Sequence, residues 1–476
     1  MVAELKQAKY YSTILDSTPD ISHVDQLTFV IRYVLEDGTP VERFFGFFPI
    51  IGHTATEMET FLLEQLEKHD IKIEDCRGQS YDNARHSLNL IGSSAAEACS
   101  ASLDFFGFLQ SIYNFFAAST HRWAILKKYL KKDLRVPKSL SQTRWSARAD
   151  ACIALKEGYK AFQAALNEIA ADRCQPPSAR NEASGLASKF DQLEIGVLTV
   201  VWSVVMERFN KTNKLLQTVN IDLGTVVDLY TSLTNFVQEV RSNFTKYETE
   251  AKLMSTEVYE ADKRRKRTRK RHHDEIESSV DTEFTGQSKM RANINEILDQ
   301  LISETNRRKE SYTAILSKFA FISGLSKFNT EELTAAAENF MTRFPNDVDS
   351  SLVSECLHFR SFIPIIAKGR SEKMHAASEE ITAFEILQFI QTRKLKSVFP
   401  NIAVGVRMFL STAAANVSGE RSFNVLKRVK NAFRSTMLQA RLSSLSLLQI
   451  ENSIFQKINS DQIIDQFCSA KIRRKC

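Results

Sequence analysis

The chain has 476 residues, of which 43% are hydrophobic and 25% charged, the ordinary composition of a globular protein with a sizeable core. Lysine and arginine number 63, and aspartate and glutamate number 57, so the formal net charge is +6. Eight of the nine residues at 263–271 are basic, and removing these eight charges from +6 leaves −2. This balance excludes a surface that is basic throughout, so any attraction to nucleic acid is local.

The seven cysteines are scattered and include no C-x-x-C pair, which argues against a disulfide framework and against a zinc finger. The longest apolar run, 195–206, has about 12 residues, whereas a membrane span needs roughly 18 to 20. The first residues carry no signal-peptide pattern. We therefore expect a reduced, intracellular and soluble protein with no zinc site and no membrane contact.

The first 50 residues are rich in β-branched and aromatic residues and predict a meander of three strands. These strands are expected at 10–15, 26–34 and 41–48, with turns at 16–20 and 36–38 between them. A helix is predicted to begin at Thr54, because Glu57 completes a capping box and apolar residues follow at helical spacing. A fourth strand is predicted at 76–82.

After residue 95 the pattern is almost entirely helical, because apolar residues recur with the helical period. Such stripes lie at 105–116, 146–170, 187–217, 225–245, 291–325, 330–343 and 376–395. The order of elements predicts a small mixed α/β core at the front of the chain, with a long helical body attached.

Two aspartates stand at the ends of predicted strands, Asp16 after the first and Asp82 at the end of the fourth. Adjacent strand ends can bring two carboxylates together, and hard divalent cations such as Mg²⁺ take oxygen ligands of this kind. A paired-metal site can activate water and stabilise the leaving oxygen in phosphodiester cleavage. An aspartate before Ser-Thr-Pro is also a common turn or cap residue, so both interpretations stay open on these residues alone.

A series of short motifs runs through most of the chain. At the front they are I-L-D-S-T-P-D-I-S-H-V-D-Q-L at 14–27, C-R-G-Q-S-Y-D-N-A at 76–84 and H-S-L-N-L at 86–90. Further along they are T-R-W-S-A-R at 143–148, S-G-E-R-S-F at 418–423, K-N at 430–431 and R-S-T-M at 434–437. In this order they resemble the hAT superfamily of DNA transposases, and more narrowly its zinc-finger MYM-type 1-like and TTF-type domain-containing branch.

The resemblance implies a mixed α+β fold, in which a large all-helical insertion interrupts an RNase H-like α/β core. The implied domains are the first part of the core at 1–95, the helical insertion at 96–385 with a basic loop at 263–273, a dimerisation region at 386–460 that completes the core, and a basic tail at 461–476. It also implies that Asp16, Asp82 and Glu420 are catalytic and hold two Mg²⁺ ions for strand cleavage. For Glu420, the alternative is a first-turn residue that complements the helix dipole after a Ser418 cap.

The chain departs from the family between Asp82 and His86, where only three residues intervene. Family members carry a few dozen residues there, ending in a C-x-x-H pair. A crossover between parallel strands takes about a dozen residues or more, so we predict that the core is incomplete after Asp82 and is not catalytically competent in this form. The chain also begins almost at the first predicted strand, so we expect no N-terminal zinc finger.

The basic run predicts a nuclear protein and a contact with DNA phosphates. Its members are Lys263, Arg264, Arg265, Lys266, Arg267, Arg269, Lys270 and Arg271. The alternative interpretation is a solvated loop inside the helical insertion, with the acidic Glu275 and Glu277 following directly.

The segment 437–458 predicts one amphipathic helix with a wide apolar face. The residues expected in a dimer contact are Leu438, Leu442, Leu445, Leu448 and Ile450. Packing of this face on the core of its own domain is compatible with that role. We expect a homodimer or a higher oligomer.

These patterns favour a nuclear, self-associating and DNA-binding protein that derives from a hAT transposase and no longer cuts DNA. One alternative is a working cut-and-paste transposase that uses Mg²⁺ through its three acids. A second alternative is a helical scaffold for protein–protein interactions that does not contact DNA.

Overall fold

The structure is a computed structural model that describes residues 1–49, 54–80, 87–130, 134–140, 145–218, 221–263, 285–371, 381–413 and 416–472. The chain divides into two compact units. The first unit contains Met1–Ala84, Gln217–Leu223 and Ala314–Cys476, and the second contains Arg85–Leu216 and Gly224–Thr313. The second unit is therefore an insertion in the sequence of the first.

The first unit contains a four-stranded sheet with the strand order β3-β2-β1-β4. The strands are β1 Tyr11–Pro19, β2 Asp25–Val34, β3 Pro40–Pro49 and β4 Cys76–Ser80. The first three strands form an antiparallel meander, and β4 pairs with β1 in parallel. The three predicted strands of the meander are confirmed, and the fourth is confirmed as far as Ser80, since residues 81–82 lie outside the described part of the chain.

Helices make up most of the rest of the described chain. They are α1 Val2–Ala8, α2 Ala55–Lys68, α3 Ser87–Ala96, α4 Ser100–Ala117, α5 Thr120–Tyr129, α6 Trp145–Ala171, α7 Pro177–Lys189, α8 Leu193–Leu216, α9 Leu223–Ser242, α10 Phe244–Lys252, α11 Glu260–Lys263, α12 Gly286–Leu316, α13 Ala320–Lys327, α14 Thr330–Arg343, α15 Leu352–Phe359, α16 Ile363–Ser371, α17 Ala383–Thr392, α18 Pro400–Ser411, α19 Val417–Val429, α20 Gln439–Ile450, α21 Asn452–Phe455 and α22 Ser460–Ile472. The capping box predicted at Thr54 and Glu57 is confirmed at the start of α2.

Helices cover both faces of the sheet. On one face α1 and α2 pack through Leu5, Leu62 and Leu66 against the strand residues Tyr11, Leu15, Leu27, Phe29, Ile31 and Tyr33. On the other face α19 and α20 pack through Leu426, Val429 and Leu442 against Ile14, Val30, Phe44 and Phe47. Because successive side chains of a strand alternate between faces, Asp16 shares the face of Ile14 and lies under the C-terminal helices.

All of the described regular elements of the second unit are helices. The helix α6 packs against α7 and α8, and α8 packs against α10. Its core is rich in buried aromatic side chains, such as Phe105, Phe108 and Phe116. The phenol of Tyr159 donates a hydrogen bond to the carbonyl of Phe190 within this core, at 3.0 Å.

The helical insertion ends earlier in the structure than its predicted end at 385. Residues 314–385 belong to the first unit, where α14 packs on α13 and α15, and α15 packs on α18. The periodicity of this stretch predicts its helices, but an apolar stripe does not show which of the two units a helix packs against. In the described part of the chain, no helix combines the length and the apolar character that a membrane crossing needs.

Candidate functional site

Asp16 is the last buried residue of β1, and its side chain is close to the start of α19. It lies opposite Thr28 in the register of β1 and β2, and it is 3% exposed. Its Oδ1 accepts the backbone N–H of Ser17 at 2.9 Å. The strand pattern thus holds a carboxylate in the interior at the point where β1 reaches the surface.

The S-G-E motif is anchored by a buried polar chain that begins on the sheet. The Arg32 guanidinium lies 2.8 Å from Oε1 of Glu42, and its Nε donates to the carbonyl of Leu410 at 3.0 Å. The hydroxyl of Ser418 donates to the other carboxylate oxygen of Glu42. This chain fixes the first turn of α19 on strands β2 and β3.

Gly419 brings the first turn of α19 into close contact with Asp16. A Cβ added to Gly419 would overlap Oδ1 of Asn416 and would lie 3.0 Å from the Cβ of Asp16. Asn416 also donates from Nδ2 to the carbonyl of Leu15 at 3.4 Å, across 401 residues of sequence. Glu420 follows Gly419 directly and is half-buried in the same turn. The structure therefore brings the first and third predicted acids into one region.

The rest of the S-G-E-R-S-F motif docks α19 on the sheet. The hydroxyl groups of Ser422 and Thr28 share a buried hydrogen bond at 2.9 Å. The ring of Phe423 stacks on Phe47 with a centroid separation of 6.0 Å. These contacts explain why a hydroxyl and an aromatic side chain stand at these two positions.

An amide oxygen near Asp16 has no hydrogen-bond partner among the described residues. Asn416 is 8% exposed, and its buried Oδ1 accepts no hydrogen bond from the described residues. Asp82, the second predicted acid, lies outside the described residues. Within the described residues, no group of three or more histidine, cysteine, aspartate or glutamate side chains is arranged to hold a metal ion.

The aspartate at the other end of the D-S-T-P-D motif, Asp20, is a buried anchor that sequence reasoning missed. Its Oδ2 lies 2.6 Å from Nζ of Lys430 and 3.0 Å from Nε2 of Gln26. Burial alone would raise the pKa of Asp20, but the hydrogen bonds, that from Lys430 first, hold it below its usual value. Lys430 of the K-N motif thus pairs with Asp20 of the first motif. Neither motif alone predicts this pair.

The predicted dimer residues divide into buried and exposed sets. Leu442 is fully buried against the sheet, and Leu445 and Ile450 pack at the edge of the same cluster. Leu438 and Leu448 are 79% and 44% exposed. The exposed pair, and not Leu442, is available on the surface of the first unit.

The helix predicted over 437–458 is interrupted at Glu451, and this prediction is wrong. Glu451 is 6% exposed, and its Oε1 accepts the backbone N–H of Phe44 on the edge strand β3 at 2.8 Å. Its Oε2 lies 3.1 Å from the guanidinium of Arg43. At this turn the carboxylate of Glu451 accepts a backbone N–H of the edge strand β3. A neighbouring strand would otherwise have to supply that acceptor.

The basic run lies almost entirely outside the described residues. Lys263 is the last residue of α11, and residues 264–271 are not described. The flanks are held together, because the backbone N–H of Gly286 donates to Oδ1 of Asp262 at 2.8 Å. Beside them, Glu248 accepts from Tyr259 at 2.9 Å and from Gln287 at 2.7 Å. The second unit therefore holds close together the two described residues that flank 264–284.

The comparisons with known proteins match the front of the chain, which contains the sheet, to an RNase-like domain. Residues 1–89 match the family model DUF4371, described as "ZMYM1/FAM200, RNase-like domain". The chain is 23% identical over 505 residues to the human "52 kDa repressor of the inhibitor of the protein kinase" and 22% identical over 506 residues to the mouse protein of the same name. Each alignment covers 98% of this chain and 64% of the relative, so the chain spans just under two thirds of their length.

Proposed function

We propose that this chain derives from a hAT-type DNA transposase and acts in the nucleus as a DNA-associated regulatory protein. The observation that carries the proposal is the close approach of Gly419 in the S-G-E motif to Asp16, which places two of the motifs side by side. The match of residues 1–89 to an RNase-like domain supports the ancestry. The name of the human and mouse relatives, a repressor, supports a regulatory role.

The core is an RNase H-like fold interrupted by the helical second unit. Three antiparallel strands followed by a parallel fourth, with helices on both faces, support this assignment. Ile14 pairs with Ser80, and each candidate aspartate follows two positions later in the sequence, at Asp16 and Asp82. The equal spacing of the two acids in the sequence supports a shared role for them.

Asp16, Asp82 and Glu420 would hold Mg²⁺ in this core. Carboxylate and amide oxygens are the donors that this ion takes, and the unpartnered Oδ1 of Asn416 beside Asp16 fits that chemistry. A bound pair of ions would supply a water nucleophile and charge stabilisation for phosphodiester cleavage. Asp16 and Asn416 would contribute oxygens from buried positions.

We propose that the chain does not cut DNA, because only three residues separate Asp82 from His86. The test is an assay for nicking of supercoiled plasmid with Mg²⁺, comparing the full chain with Asp16→Asn. We expect no nicking above the level of the variant. Nicking by the wild type that Asp16→Asn abolishes would establish the working transposase instead.

DNA contact is assigned to the basic run at 263–271 and tested by its deletion. The deletion should reduce the slope of log affinity against log salt, because fewer phosphates are neutralised. It should also shift a fluorescent fusion of the chain from the nucleus to the cytoplasm. Unchanged DNA binding together with unchanged nuclear entry would favour the helical scaffold.

Self-association is assigned to the exposed apolar surface at Leu438 and Leu448. Light scattering should give about twice the monomer mass of 54.1 kDa. Leu438→Asp should lower that mass without unfolding the chain, because this side chain is 79% exposed. The matched variant Leu442→Asp should unfold the first unit, because it places a charge in the core. A monomer at micromolar concentration would contradict the proposal.

A further inference from the structure

A groove with a volume of about 450 Å³ lies along β4 in the first unit, and none of the predictions above uses it. Its volume is within the range of ligand sites, about 300–1,000 Å³. Three basic side chains line it, Arg77 from β4, Lys318 from the turn after α12, and Arg343 from the end of α14. The rings of Phe319 and Phe344 form an apolar part of its wall.

The charge of this groove is positive and largely uncompensated. No acidic side chain is among the described residues that line it. Lys318 and Arg343 are exposed, and neither forms an ion pair within the described part of the chain. Two exposed cations on the wall of one concave surface favour a ligand with negative charge.

Arg77 is fixed in place by an ion pair and a ring contact. Its guanidinium lies 2.5 Å from Oδ2 of Asp347 and stacks over the ring of Tyr10, with 4.9 Å to the centroid. Its buried Nε has no hydrogen-bond partner among the described residues. A buried donor without a partner costs about 1–3 kcal/mol. Because Asp347 compensates Arg77, the net charge of the groove comes from Lys318 and Arg343.

The position of the groove connects it with the candidate site. It lies along Cys76–Gln79, which pair with the part of β1 that leads to Asp16. We propose that this groove binds the phosphodiester backbone of a nucleic acid strand, with Lys318 and Arg343 neutralising its phosphates. This inference rests on the proposed function, because it names a strand-binding surface of the same core.

The test is the binding of a fluorescein-labelled single-stranded dT12 to the full chain, measured by anisotropy between 50 and 200 mM salt. The double variant Lys318→Gln/Arg343→Gln should lower the salt slope by about 1.4, since each single-strand phosphate contact contributes about 0.7. This change corresponds to binding about 25-fold weaker at 0.1 M salt. The charge-retaining variant Lys318→Arg/Arg343→Lys should keep the wild-type slope.

The matched control is Lys396→Gln/Lys457→Gln, which removes two exposed lysines of the first unit that do not line the groove. If the groove variant and the control have the same salt slope, the groove does not bind the strand, and the proposed function is unaffected. A wild-type chain that does not bind dT12 would overturn both. Displacement of dT12 by millimolar sodium phosphate at matched ionic strength would show a site for free phosphate and overturn the strand proposal.

Discussion

Replacing Lys430 by methionine should destabilise the first unit by about 3 kcal/mol in the free energy of unfolding. Lys430 and Asp20 are 2.6 Å apart, and their side chains are 6% and 1% exposed. Methionine keeps most of the lysine volume but removes the cation, so Asp20 stays buried without its charge partner. Loss of one partner of a buried pair costs about 3–5 kcal/mol, and the donors from Ser22 and Gln26 that remain place the effect at the lower end.

A double-mutant cycle separates the pair from the packing around it. Asp20→Asn/Lys430→Met leaves no buried charge, so it should be more stable than the sum of the single effects predicts. We expect an interaction free energy of about 1–3 kcal/mol between the two positions. Single effects that add to within about 0.5 kcal/mol would refute the account of Asp20 and Lys430 as a coupled pair.

Hydrogen exchange of the amides in β1 and β2 measures the stability of the first unit by itself. Tryptophan fluorescence serves as an internal control, because Trp123, Trp145 and Trp202 all belong to the second unit. The variants should increase exchange in the strands and leave the fluorescence-detected urea midpoint unchanged. Equal exchange rates in wild type and Lys430→Met would contradict the expected loss of stability.

The contribution of Asp20 should also depend on pH. Its hydrogen bonds hold the folded-state pKa below the usual value against the opposing effect of burial. A lowered pKa stabilises the fold above the unfolded-state value, about 3.9, and this stabilisation is lost as the pH falls through the folded-state pKa. The difference in stability between wild type and Asp20→Asn should therefore be constant near neutral pH and shrink below about pH 4. A difference that grows on acidification would contradict this sign.

Three further changes test the packing around the site. Gly419→Ala should cost about 1–3 kcal/mol by overpacking against Asn416 and Asp16, measured by exchange in α19, and a gain in stability would contradict the close contact. Glu451→Ala should cost about 1–3 kcal/mol, because the buried N–H of Phe44 loses its acceptor; an unchanged melting temperature would contradict this. Replacing 264–284 by a short Gly-Ser bridge should leave the urea midpoint by tryptophan fluorescence unchanged, because the flanks are joined, and a clear loss would refute that.

The regular elements of the front of the chain follow from local patterns. The three strands of the meander are short runs of β-branched and aromatic residues between turn sequences, and both signals lie within a few positions of each other. The start of α2 was predictable for the same reason, since Thr54 and Glu57 cap the helix three residues apart. Sequence reasoning succeeds here because all of the interacting groups are neighbours in the chain.

The elements that sequence reasoning missed depend on partners far away in the chain. Glu451 looks like a polar residue on one long helix until the edge of β3 is present as its partner. The helices at 314–385 carry an ordinary apolar stripe, and only the assembled first unit determines what they cover. Asp20 and Lys430 are charged and would be expected on the surface, yet each is buried because the other is there.

At the candidate site, too, the sequence motif alone does not show what each residue contacts, and this matters for the function. The resemblance points to Glu420, but the described geometry gives specific structural work to its neighbours: Ser418 binds Glu42, Gly419 permits close approach, and Ser422 binds Thr28. A chain that no longer cuts DNA would still need these contacts to hold α19 on its sheet. The motif residues therefore have a structural role that does not depend on catalysis, so a loss of stability in their variants says nothing about DNA cleavage, and the nicking assay has to be read separately from every stability measurement.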